Sequence, residues 1–131
     1  MKKVFYLMTM VALLAIVIFA CNKTSTVDEG KPNSEYISAA VCTGVTPTYT
    51  ADIKAIFDAR CATSGCHISP GAAHGLDLTT YALAKRDFNV HALLCSINQD
   101  ASCSKMPTTG AKLAATDITK ITCWAKNGFA Q

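Results

Sequence analysis

The sequence predicts an all-α domain of about four short helices, preceded by a flexible tether. Apolar residues recur at three- and four-residue steps from residue 50 onward, and no strictly alternating strand pattern competes with them. Between the helical stretches, Pro107 and Gly110 impose irregular backbone. So few short helices enclose little apolar area, so the fold needs covalent staples or a bound group.

The chain opens with Lys2 and Lys3, then runs apolar from Val4 to Ala20 with only Thr9 interrupting, and reaches Cys21 before the polar "NKTSTVDEG". A charged start, an apolar run and a small residue before a cut make residues 1–20 a signal segment. A single membrane-spanning helix is the alternative, since the run is at the short limit of what crosses a bilayer. "IFAC" resembles the lipobox of bacterial lipoproteins, with Phe19 where a small residue is preferred. That resemblance makes Cys21 the acylated first residue, a membrane anchor that does not span. Removing residues 1–20 takes away two lysines and no acidic group, so the formal charge falls from +3 to +1. With no basic run or basic–aromatic stripe, nothing suggests nucleic acid, and no nucleic-acid partner is expected. Residues 21–40, rich in Ser, Thr, Asn and Lys without apolar period, read as the flexible tether, and 41–131 as one domain.

Ile53, Ile56 and Phe57 follow Thr50 and Asp52 at helical spacing, which gives an amphipathic helix with a cap, an acidic first turn and Cys61 at its end. "TYALAKRDF" and "VHALLCSI" read as two short helices separated by a charged turn, Lys85-Arg86-Asp87. Ile118, Ile121, Trp124 and Ala125 define the last helix, which starts near Thr116, carries Asp117 in its first turn and stops at Gly128 after Lys126.

Seven cysteines are an odd number for an exported chain, and lipidation of Cys21 leaves six. Cys95 and Cys103 bracket the polar "SINQDAS" and pair locally, which leaves Cys42 for Cys123; three pairings of these four are possible. The other two, Cys61 and Cys66, stand beside His67 in "CATSGCH". Zinc there would need a fourth ligand such as His74 or another cysteine, and adjacent Cys66 and His67 chelate one tetrahedral ion awkwardly. A Cys61–Cys66 disulfide would leave His67 without a role. Covalent haem attachment uses C-x-x-C-H, two thioethers followed by an axial histidine; here two more residues, within the turn-forming "ATSG", loop out between the thiols. A second axial ligand is commonly a methionine, and outside the signal segment Met106 is the one available, in the irregular "SKMPTTG". Filling a gap in the core is the ordinary role of a lone methionine, against which its polar loop argues. His74, in a glycine-bounded loop, is the alternative to Met106 as second ligand, and His91 lies in an apolar helix pattern; neither is assigned as a ligand.

"YTADIKAIFDARCATSGCH", "GLDLTTYALA" and "KMPTTGAKLAATDITKITCWAKNG", taken in that order over residues 49–128, resemble the small monohaem cytochrome c domains of bacterial envelope proteins. The resemblance implies a cytochrome c-like fold around one covalent haem c, with Cys61 and Cys66 as its thioethers, His67 as the proximal and Met106 as the distal iron ligand. It also implies that the first and last helices cross, with Phe57 and Trp124 closing one side of the haem pocket. The widened C-x4-C-H spacing is its chief departure.

The function expected is electron transfer, not catalysis: a lipid-anchored cytochrome that passes single electrons between redox proteins of the bacterial envelope, at the outer membrane facing the periplasm or the cell surface. The competing expectations are a haem enzyme or gas sensor with a displaceable distal ligand, and a haem-free, disulfide-stapled interaction module.

Overall fold

The structure, a computed structural model, describes residues 31–131. The signal segment 1–20, Cys21 and residues 22–30 of the tether lie outside the described residues. Among the described residues the regular structure is helical: α1 (Asn33–Ala39), a π-helical turn (Tyr49–Ile53) running directly into α2 (Lys54–Arg60), a 3-10 turn (Ala73–Gly75), α3 (Tyr81–Val90), α4 (Leu93–Asn98) and α5 (Ala115–Lys126). No helix among them is long and apolar enough to cross a membrane.

Trp124 of α5 is fully buried and organises the core. Rings from every side meet it edge-on or tilted: Tyr49 at 5.8 Å between centroids, Phe57 at 6.3 Å, Tyr81 at 6.4 Å, Phe88 at 6.2 Å and Phe129 at 4.9 Å. Full burial of a side chain of this kind is worth about 1.5–3 kcal/mol from transfer alone, and aromatic pairs add about 0.5–1.5 kcal/mol each. The indole N–H is satisfied by donating to the Ala130 carbonyl at 2.7 Å. The same carbonyl accepts from the Tyr49 amide at 2.8 Å, and the Tyr81 hydroxyl donates to the Phe129 carbonyl at 2.8 Å. The segment after α5 is thereby folded back over the core, and it ties the start of the first helical stretch to the last.

The elements differ from the sequence expectation in three places. Thr48, not Thr50, caps the first stretch, accepting from the Ala51 amide at 3.2 Å. Its first turn is π-helical, with Asp52 paired to Lys120 of α5 at 3.0 Å. Lys85, Arg86 and Asp87 lie inside α3 and make no turn; Asp87 faces inward, where the Asp77 amide and Arg86 satisfy its charge, and the break falls instead at His91 and Ala92. The last helix agrees with the expectation: it begins at Ala115, beside Thr116, without a side-chain cap.

The third difference is the largest: residues 33–39, expected within the flexible tether, form α1 and dock on the domain. The Asn33 side-chain amide donates to the carbonyls of Phe88 at 2.6 Å and His91 at 2.7 Å, while its oxygen accepts from the Leu94 amide at 2.9 Å. One side chain thus serves both ends of the break between α3 and α4, whose backbone groups have no helical partners. Tyr36 donates to Asp100 at 3.0 Å, and Lys126 donates to the Ala40 carbonyl at 2.6 Å.

Two disulfides staple the fold, Cys42–Cys123 with Cα atoms 5.6 Å apart and Cys95–Cys103 with Cα atoms 5.9 Å apart. The first joins the segment after α1 to the buried face of α5. The second closes the turn that follows α4.

Candidate functional site

α2 ends at Arg60, and Cys61 follows as its C-cap, its amide donating to the Phe57 carbonyl at 2.8 Å. The four residues between the two cysteines then close into a loop. Gly65 takes a left-handed φ of 77°, open to glycine without strain, and the Cys66 amide donates to the Thr63 carbonyl at 2.9 Å. His67 returns to the end of α2, where its amide donates to the Cys61 carbonyl at 3.1 Å. The extra spacing is thus absorbed within the loop, and Cys61 and His67 remain adjacent.

His67 is 8% exposed, and its Nδ1 lies 3.2 Å from the Leu76 carbonyl oxygen. A carbonyl only accepts, so Nδ1 carries the proton and Nε2 keeps its lone pair. Burial pushes the imidazole pKa below its ordinary value, against the opposing pull of the Leu76 and Ala73 carbonyls. The buried ring is thereby held neutral, the form that binds metals. The loop that delivers Leu76 is fixed in turn: Ala73 donates to the Cys66 carbonyl at 2.8 Å and Leu78 to the His67 carbonyl at 3.1 Å.

His67 borders a cavity of about 370 Å³, within the range of small-molecule and cofactor sites. Phe57, Leu76, Leu78, Leu93 and Ile97 make its lining mainly apolar, and Cys61 and Met106 also line it. Met106 is half-buried, its amide donating to the Ser96 carbonyl at 3.1 Å, while the Cys95–Cys103 bridge closes the turn before it. Helix α4 and this disulfide thus present a thioether that sequence alone placed in an irregular loop.

The structure brings Cys61 and His67, from one loop, together with Met106 from a distant stretch; Cys66 is exposed and does not border the cavity. Neither Cys61 nor Cys66 is in a disulfide. Burial pushes the Cys61 thiol up to about 11, so it is protonated at neutral pH. Trp124 lies behind Phe57, in the core, and Phe57 alone of the two reaches the cavity.

Sequence reasoning set His74 and His91 aside, yet both border the cavity. His74 sits at the 3-10 turn with φ 55°, and His91 at the α3–α4 break. No periodic signal marks His74, which a kink places, and the apolar helix pattern around His91 does not show that a break between helices turns it to the cavity. Among the described residues, no group of three or more His, Cys, Asp or Glu side chains is arranged to hold a metal ion.

Compared with family models, curated proteins and solved structures, the chain matches none.

Proposed function

We propose that the protein is a monohaem c-type cytochrome, anchored by a lipid on Cys21 in the bacterial cell envelope, that passes single electrons between redox proteins and performs no catalysis of its own. The observation that carries this reading is that Cys61, His67 and Met106 line one cavity. One haem c, held by thioethers to Cys61 and Cys66, would supply an iron cycling between ferrous and ferric states.

Of the four residues, Cys61, His67 and Met106 line the cavity and fit such a group, while Cys66 is exposed and lies outside the lining. Cys61 and Cys66 are both outside disulfides, in a protein whose other four described cysteines are bonded. His67 offers Nε2 with its tautomer fixed by Leu76, and Met106 offers a soft thioether from a braced turn. The apolar wall limits water and favours the less charged ferrous state. With His67 and Met106 both holding the iron, little room would remain for a substrate on it, which suits outer-sphere electron transfer better than substrate binding.

His74 and His91, which also line the cavity, favour one second reading, a haem enzyme or gas sensor whose distal ligand gives way. Both readings share a test. The purified chain is denatured in acidified organic solvent and its mass measured: one haem retained per polypeptide supports them, and a mass without haem rejects both in favour of a disulfide-stapled interaction module.

A further inference from the structure

The peptide unit between Leu76 and Asp77 is hydrogen-bonded at both ends. Its carbonyl oxygen lies 3.2 Å from His67 Nδ1, and its N–H donates to Asp87 Oδ2 at 2.8 Å. We propose that Asp87 is a positioning residue for His67, acting through this single peptide group to orient the imidazole and strengthen Nε2 as a ligand. The ring, the peptide and the carboxylate form one continuous chain of donors and acceptors: Nδ1–H to O=C, then N–H to carboxylate.

Each link has a physical reason. A carboxylate accepting a peptide N–H makes a charge-assisted bond and polarises the peptide, which makes the carbonyl at its other end a stronger acceptor. That carbonyl holds the Nδ1 proton more firmly, and partners of this kind raise the basicity of a ligating histidine. The surroundings are suited to transmit the effect, since Asp87 is 3% exposed and His67 8% exposed, where little water screens them. Arg86 occupies the other carboxylate oxygen, Oδ1, with a side chain that is 58% exposed. Arg86 first and the Asp77 amide next hold the Asp87 carboxyl below its ordinary pKa, so it is ionised at neutral pH. Asp77, also buried, is spent differently: its carboxylate accepts from Ser69 and Thr79 and does not take the peptide N–H. Asp87 and Arg86 together therefore set how much negative charge reaches the peptide.

The ligand role of His67 rests on the function proposed above; the hydrogen-bond relay does not. The full chain, labelled with ¹⁵N, is compared with Asp87→Asn and Arg86→Gln by NMR, reading the His67 Nδ1 proton and the Asp77 amide proton, and the reduction potential is measured wherever haem is attached. Asp87→Asn should move both resonances upfield together and raise the potential. Arg86→Gln, which frees the carboxylate of a competing donor at an exposed side chain, should move both downfield and lower the potential. If the Asp77 amide shifts while the His67 proton and the potential stay in place, Asp87 only braces the loop and the proposal falls. Should Asp87→Asn fail to fold, the same two resonances in Arg86→Gln decide. A wild-type chain lacking haem overturns the proposed function and leaves the relay to be judged on the resonances.

Discussion

The Asn33 side-chain nitrogen lies 2.7 Å from the carbonyl oxygen of His91, a residue on the cavity wall. α1, the first helix among the described residues, is therefore joined directly to the candidate site. Asn33→Ala would leave the Phe88 and His91 carbonyls and the Leu94 amide without this partner. A cost of about 1–3 kcal/mol follows for unmade, partly buried hydrogen bonds. Urea unfolding should show a lower midpoint with an unchanged slope. An unaltered midpoint would mean that water replaces Asn33 at no cost and that α1 is not part of the cooperative fold.

Replacing Trp124 tests the core independently of any cofactor. Its indole is fully buried among five rings and donates to the Ala130 carbonyl, so Trp124→Ala creates a cavity and leaves that carbonyl only the Tyr49 amide as donor. The expected loss is about 3–5 kcal/mol, with Trp124→Phe costing less. Thermal unfolding followed by circular dichroism checks the order; equal melting temperatures for Trp124→Ala and wild type would contradict the packing described.

The Cys42–Cys123 bridge spans a sequence separation of 81. In the chain-entropy model a loop of that length stabilises by about 4–5 kcal/mol, against roughly 2–3 kcal/mol for the eight-residue separation of Cys95–Cys103. The double variants Cys42→Ser/Cys123→Ser and Cys95→Ser/Cys103→Ser should therefore differ in unfolding free energy, the first losing more. The reverse order would show that bracing the Met106 turn matters more than the long loop.

The legible parts of this protein were those set by near neighbours in the chain. Ile53 with Phe57, and Ile121 with Trp124, follow the helical period, and their helices are where that period puts them. α1 was hidden because Asn33 finds its partners 55, 58 and 61 residues away, and its own stretch is polar. Lys85-Arg86-Asp87 looked like a solvated turn because nothing local tells that Asp87 meets the Asp77 amide in the interior. In the candidate site, the residue types at Cys61, His67 and Met106 drew attention by themselves. Leu76 did not, since a backbone acceptor has no residue signature; a kink and a break between helices set where His74 and His91 lie.

Acid should expose the contribution of Asp77. Ser69 first, then Thr79 through its hydroxyl and amide, hold its carboxyl at about 2. A folded pKa below the unfolded value stabilises the fold at pH above the unfolded value, and that contribution is lost as pH falls through the folded one. The window is therefore from about pH 4 down to about pH 2, with about 2 kcal/mol at stake. In Asp77→Asn, unfolding midpoints across this window should depend less on pH than in wild type; identical pH profiles would show that other carboxylates carry the dependence.

The distal ligand is the sharpest test of the proposed function. Met106 is the one thioether outside residues 1–20, its amide is tied to Ser96, and it lines the cavity with Cys61 and His67. Soft sulfur stabilises ferrous over ferric iron, so methionine ligation places the potential well above that of a bis-histidine haem. Met106→Ala should lower the potential, remove the weak sulfur-to-iron charge-transfer band of the oxidised protein and let carbon monoxide bind the reduced iron. His74→Ala and His91→Ala should change none of these. If either histidine variant shows the losses expected of Met106→Ala while Met106→Ala does not, that histidine is the ligand and the iron is bis-histidine. If the unsubstituted protein already binds carbon monoxide readily, its sixth position is open, and the enzyme or sensor reading displaces electron transfer.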